Sequence, residues 1–340
     1  MESAREREEE RSITMRLRLL LISLSCCLAA CGARGGTFSN PGGLTAGPAA
    51  KTPSPNLFVA DTANNAVDVF VSSDNGDVAP AVVISGAATQ LGAPVGVAVA
   101  HDGTLYVSND AAGGSVTVYP PGSTGAAVPS RAITCGGLSQ PAGISLDSSG
   151  NLYVANTGGN SISVFAPTDN GCVVGNRVIE GTHTCLFAPR DVDTRENGAV
   201  YVASQGAVLV YRPGASGDAT PMQKITGSST KLLTFSQGVS LDASFDIYVT
   251  SVSPHKPGRI TVYSPAATGN AAPLRTISGT ATTLAAVEKI EIDPNGNALV
   301  TNGAAIDVFA AGASGNTAPT AVISGPSTTL ANPAGLDLQP

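Results

Sequence analysis

The chain has 340 residues, 42% of them hydrophobic and only 13% charged, with 39 Gly, 23 Pro and no Trp. That balance suits many short strands joined by tight turns and excludes a helical bundle. The net charge is −7, and no Lys/Arg cluster interrupts it, so no nucleic-acid partner is expected.

Residues 1–14, MESAREREEERSIT, hold five Glu and three Arg. Acidic residues are out of place ahead of a signal's apolar core, so the start is read at Met15. From there MRLRLLLISLSCCLAACG sets two arginines before an apolar run too short to span a bilayer. This is the build of a signal peptide, assigned to residues 1–30. Leu28-Ala29-Ala30-Cys31 resembles the lipobox of bacterial lipoproteins. The resemblance implies cleavage before Cys31, acylation of Cys31 with palmitate-type chains, and a membrane partner reached through that lipid. Each buried CH₂ then contributes about 0.8 kcal/mol to anchoring. Gly32 after the cysteine implies the outer membrane in a Gram-negative cell, and without the lipid the same signal predicts a secreted protein. Residues 31–56 are rich in Gly, Pro, Ser, Thr and Ala with no apolar period, which predicts a flexible, lipid-anchored linker. Cys26 and Cys27 leave with the signal. Cys135, Cys172 and Cys185 remain, so at most one disulfide forms among them, and the pairing is open.

From Leu57 the text repeats. One strand pattern reads LFVAD (57–61), LYVSN (105–109), LYVAN (152–156), VYVAS (200–204), IYVTS (247–251) and ALVTN (298–302). A second, such as VTVY (116–119), and a third, such as LRTISG (274–279), also occur six times. All are bounded by Gly, Pro, Asn or Asp, as strands are. A fourth pattern, opening on Pro-x-Gly at PVGVAVA (94–100) and PAGISLD (141–147), is absent ahead of the first repeat and present at PAGLDLQ (333–339). The expected fold is therefore all-β: over residues 57–340, a six-bladed β-propeller of four-stranded blades, its ring closed by the C-terminal strand joining the N-terminal blade. The linkers PPGSTGA (120–126), RPGASGD (212–218) and AAGASGN (310–316) are read as turn chemistry.

LFVADTANNAVDVF (57–70) and NLYVANTGGNSISVF (151–165) resemble NHL repeats through the Asp/Asn ending the aromatic strand and the Asn-rich turn after it. That resemblance implies a binding scaffold. Some related six-bladed propellers are metal-dependent lactonases, lyases or hydrolases, so fold alone does not choose.

No nucleophile, metal-ligand, phosphate-loop or cofactor motif is present, and neither a cofactor nor a bound metal is expected. His101, His183 and His255 fall in connections of different types and are read as exposed loop residues. In a propeller the first strand lines the central channel and the x of Pro-x-Gly stands at its mouth. Those positions are Ala334, Val95, Ala142, Arg190, Gln237 and Glu288 in blade order, and the next position is Gly except at Asp191 and Lys289. Arg190, Asp191, Gln237, Glu288 and Lys289 should thus gather in one sector, as a polar half-pocket for a small polar ligand or as an ion network plugging the channel. On the opposite face Asp147, Asp242 and Asp293 are expected to cap turns, beside His101, Asp102, Arg195 and Glu196. The first functional expectation is a non-enzymatic, envelope-tethered scaffold for a protein, glycan or small polar ligand. The second is a metal-dependent lactonase- or lyase-like hydrolase acting at the channel mouth.

Overall fold

The computed structural model describes residues 55–134, 137–194 and 198–339. The signal peptide, Cys31, most of the linker, Cys135, Arg195 and Glu196 lie outside the described residues. Asn56, assigned by composition to the linker, instead opens the first strand, Asn56–Asp61.

Six sheets follow one another in the order expected. The first blade joins Pro333–Leu338 to Asn56–Asp61, Ala66–Val71 and Val82–Ser85. The closing strand runs antiparallel to the first, with Leu57 opposite Leu338 and Val59 opposite Leu336. The remaining blades start from inner strands Pro94–Val99, Pro141–Leu146, Asp191–Thr194, Phe235–Leu241 and Val287–Ile292. Neighbouring inner strands touch all the way round, and the sixth meets the closing strand.

The alternation in each strand explains the core. Residues of one parity face the preceding blade and those of the other parity face the next, so both sets are apolar and buried between sheets. At the closure, Leu57, Val59, Phe70, Leu336 and Leu338 pack against Leu299, Ile306, Val308 and Ile323 of the sixth blade. Each fully buried side chain of this kind contributes about 1.5–3 kcal/mol. The third strand of every blade ends on a fully buried ring: Phe70, Tyr119, Phe165, Tyr211, Tyr263 and Phe309. The tyrosine hydroxyls donate to carbonyls of the connection entering their own blade, Tyr119 to Thr89 and Tyr263 to Thr230, both at 2.6 Å.

The third position of the inner strands shows why Gly recurs there. A Cβ on Gly96 would lie 2.6 Å from the Ala142 carbonyl oxygen, and one on Gly238 2.7 Å from that of Glu288, each belonging to the next blade's inner strand. At these two glycines the next inner strand approaches too closely for a side chain.

The Gly-rich linkers do more than turn. Gly76, Gly125, Gly171, Gly217, Gly269 and Gly315 each pair in parallel with the outer strand of the preceding blade, at Ile323, Ile84, Ile133, Ile179, Ile225 and Ile277. The residue after the glycine then reaches the connection that leaves that outer strand. Asp77 accepts from the Ser327 amide, Asp218 from His183, Asn270 from Ser229 and Asn316 from Ala281, at 2.6–2.7 Å. Ala126 holds this position in the second blade and Cys172 in the third. Cys172 is disulfide-bonded, whereas Cys185 is free and exposed.

Candidate functional site

The structure brings the five expected residues to one mouth of the channel. Arg190, Asp191, Gln237, Glu288 and Lys289 share a cleft with Val95, Ala142 and Ala334. The cleft is small, about 40 Å³. Two of the five point inward and meet. Lys289 Nζ donates to Asp191 Oδ1 at 2.7 Å and to Oδ2 at 2.9 Å, and their side chains are 11% and 2% exposed. The Val239 amide also donates to Asp191 Oδ2 at 2.9 Å. Burial pushes Asp191 up, while Lys289 and this amide pull against it. Lys289 lies above its ordinary range: burial depresses it, and Asp191 with other carboxylates more than offsets that. The short two-point contact belongs to an ionised pair. Glu288 remains at the mouth, pushed up by burial against the pull of Arg190.

Three further carboxylates stand deeper, and sequence reading did not single them out. Asp193, Glu291 and Asp337 occupy the fifth position counted from the first residue of the Pro-x-Gly pattern, two residues beyond Asp191, Lys289 and Gly335. The strand period of two puts positions three and five on one face, and that period was the available signal. With Lys289 they line a cavity of about 180 Å³ bounded by Ser145, Thr194 and apolar residues of the inner strands. Asp337 Oδ2 accepts from the Val99 amide at 2.7 Å, and Ser240 Oγ donates to Glu291 Oε1 at 3.3 Å. Burial and then Asp337 and Asp193 drive Glu291 well above the carboxylate range. Burial likewise pushes Asp337 up to about 7, with Lys289 pulling it back. Four carboxylates therefore surround one ammonium.

The channel opens beyond them. Glu291 and Asp337 also floor a bowl of about 970 Å³ on the face opposite the Pro-x-Gly mouth, lined by Asp242, Ser244, Asp293, Asn295 and Gln339. The bowl's turns are braced as expected of Asx turns. Asp242 Oδ1 accepts from the Ser244 and Asp246 amides, and Asp293 Oδ1 from those of Asn295 and Asn297. Asp147 and Asp102 brace the third and second blades in the same way. Pro55 and Asn56 form part of the bowl's wall. The three histidines stay apart, as expected. His101 lies in the connection after the second blade's inner strand, while His183 and His255 lie in connections on the opposite face. His183 pairs at the surface with Asp218. Among the described residues no group of three His, Cys, Asp or Glu side chains is spaced to hold a metal ion, and no helix is long and apolar enough to cross a membrane.

Comparison with known proteins agrees with this architecture. The NHL repeat pattern matches residues 138–165, most of the third blade. No curated protein matches in sequence. A protein of unknown function from Bacteroides caccae superposes with a TM-score of 0.59 at 11% identity, over 83% of this chain and 98% of that one. A provisionally named 6-phosphogluconolactonase from Bacteroides fragilis superposes with a TM-score of 0.56 at 14% identity, over 86% and 99%. The WD40 propeller domain of Doa1 gives 0.53 at 12% identity, over 81% and 85%. At such identities the likeness is one of fold. The chain is a six-bladed β-propeller whose third blade matches the NHL repeat.

Proposed function

We propose that this chain is a non-catalytic binding propeller of NHL type, tethered to the bacterial envelope through Cys31, and that its bowl takes a compact cationic group such as a protonated amine. One observation carries the ligand class: Glu291 and Asp337 stand at the floor of the bowl, backed by Asp193 and Asp191, with Lys289 as the one ammonium among them. Carboxylates crowded in a low-dielectric channel gain from a further positive charge. The bowl's turns are already braced by their own aspartates, so binding there orders little.

The test uses spermidine and a peptide ending in lysine as probes. Calorimetry with the full chain should show saturable binding that Glu291→Gln weakens at least tenfold and that salt reduces. Heats that stay at the level of dilution for both probes, or binding indifferent to Glu291→Gln, would remove the cationic reading. The tether is tested separately. Cys31→Ser should move the protein from the membrane to the soluble fraction, and membrane retention in that variant would remove the lipid anchor.

The second reading, a metal-dependent lactonase- or lyase-like hydrolase, draws on the convergence of Arg190, Gln237 and Glu288 at the other mouth. It has less support, because Asp191 is committed to Lys289 and the cleft is small.

A further inference from the structure

In three blades the second and third strands carry a matching polar pair on one face. In the second blade Asn109 Nδ2 donates to Thr117 Oγ1 at 3.2 Å, and in the third Asn156 Nδ2 donates to Ser163 Oγ at 2.9 Å. In the sixth, Asn302 Nδ2 donates to Asp307 Oδ2 at 2.7 Å. The amide supplies the proton each time. The first blade has the same geometry and no amide: Asp61 stands where the asparagines stand, and Asp68 faces it.

Asp61 is saturated with donors. It accepts from the Ala63 amide at 3.2 Å, Asn64 Nδ2 at 2.9 Å, the Ala331 amide at 2.8 Å and the Asn332 amide at 3.0 Å. The last two belong to the segment that leads into the closing strand. Asp68 is 1% exposed, and among the described residues neither of its carboxyl oxygens has a partner. Strand Val82–Ser85 and residues 325–332 carry no titratable side chain. On the facing sixth blade Asp307 is turned to Asn302 and Thr283. Asp61 is thus the charged group that bears on Asp68. An ionised Asp68 would be a buried charge without a partner beside a like charge, whereas a protonated Asp68 brings no charge into that site.

We infer that Asp68 carries a proton in the folded chain, and that this proton is a latch on the ring-closing blade, fastened in acid and released on the alkaline side of neutrality. Burial, and after it Asp61, raises Asp68 to about 7, in keeping with that geometry. The sign follows from linkage. A carboxyl raised in the folded state binds its proton more tightly there than in the unfolded chain. Its contribution is complete below about pH 4 and is lost as pH rises through 7.

The experiment compares the full chain with Asp68→Asn and Asp61→Asn. The first puts an amide donor beside Asp61, and the second restores the amide–carboxylate pair of the sixth blade. Unfolding equilibria between pH 4 and 9 should show an extra loss in the wild type, up to about 10³-fold in the folded/unfolded ratio, relative to either variant. Hydrogen exchange corrected for intrinsic rates should show residues 329–338 losing protection between pH 6 and 8.5 in the wild type alone, while residues 152–156 hold theirs. Parallel pH profiles in all three proteins would overturn the latch. So would full wild-type stability at pH 8 in sodium or calcium chloride but not in choline chloride, since a metal cation would then occupy the proton's place.

Discussion

Deleting residues 333–340 should abolish cooperative unfolding. The strand Asn56–Asp61 would lose its partner from Leu57 to Asp61, and the seam between the first and sixth blades would lose Leu336 and Leu338, which are 0% and 8% exposed. Truncating one buried leucine costs about 2–5 kcal/mol, against a total of roughly 5–15 kcal/mol for a typical folded chain. Losing two, with a ladder of backbone hydrogen bonds, takes most of that margin. Urea titration followed by circular dichroism is the measurement. A broad, non-cooperative decay is expected, and a sharp transition with the full-length slope would contradict it. Leu336→Ala, a milder probe of the same seam, should lower stability by about 3 kcal/mol without changing the slope.

The second large effect is expected at Lys289. Lys289→Met preserves much of the volume and removes the only ammonium among Asp191, Asp193, Glu291 and Asp337. Removing one partner of a buried pair costs about 3–5 kcal/mol, because the other charge is left buried and unpaired. The double variant Asp191→Asn/Lys289→Met should regain part of that loss. The pH dependence gives a sharper check. Lys289 stays charged throughout the neutral range, so titration there belongs to the carboxylates. Glu291 and Asp337 are raised in the folded state, so their contribution is complete in acid and falls as pH climbs toward and past 7. Without the ammonium both should rise further. The variant's deficit should therefore grow from pH 5 to pH 8, and a deficit independent of pH would show that Lys289 acts by packing alone.

The fold was legible because its signals are local and recur. An aromatic strand ending in Asp or Asn, a following strand ending in Tyr or Phe, and a Pro-x-Gly strand each announce themselves within five or six residues. The gathering of Arg190, Gln237 and Glu288 was legible for the same reason, since equivalent positions of a closed repeat must converge. What lay two residues further on was not. Asp193, Glu291 and Asp337 read as the polar half of an ordinary alternating strand, which elsewhere faces solvent. Only ring closure turns that half toward an enclosed channel. The linker glycines were likewise read as turns, because their pairing with the preceding blade joins residues some 40 positions apart, as between Gly217 and Ile179. The unpartnered Asp68 was invisible in sequence: Asp for Asn at one repeat position matters only once the facing residue is known.

Sharing the first blade between the two ends of the chain also sets an order in time. The blade begun first is the blade finished last. Asn56–Asp61 is synthesised some 270 residues before Pro333–Leu338, roughly 15–55 s at 5–20 residues per second. Throughout that interval an apolar strand edge waits without its partner.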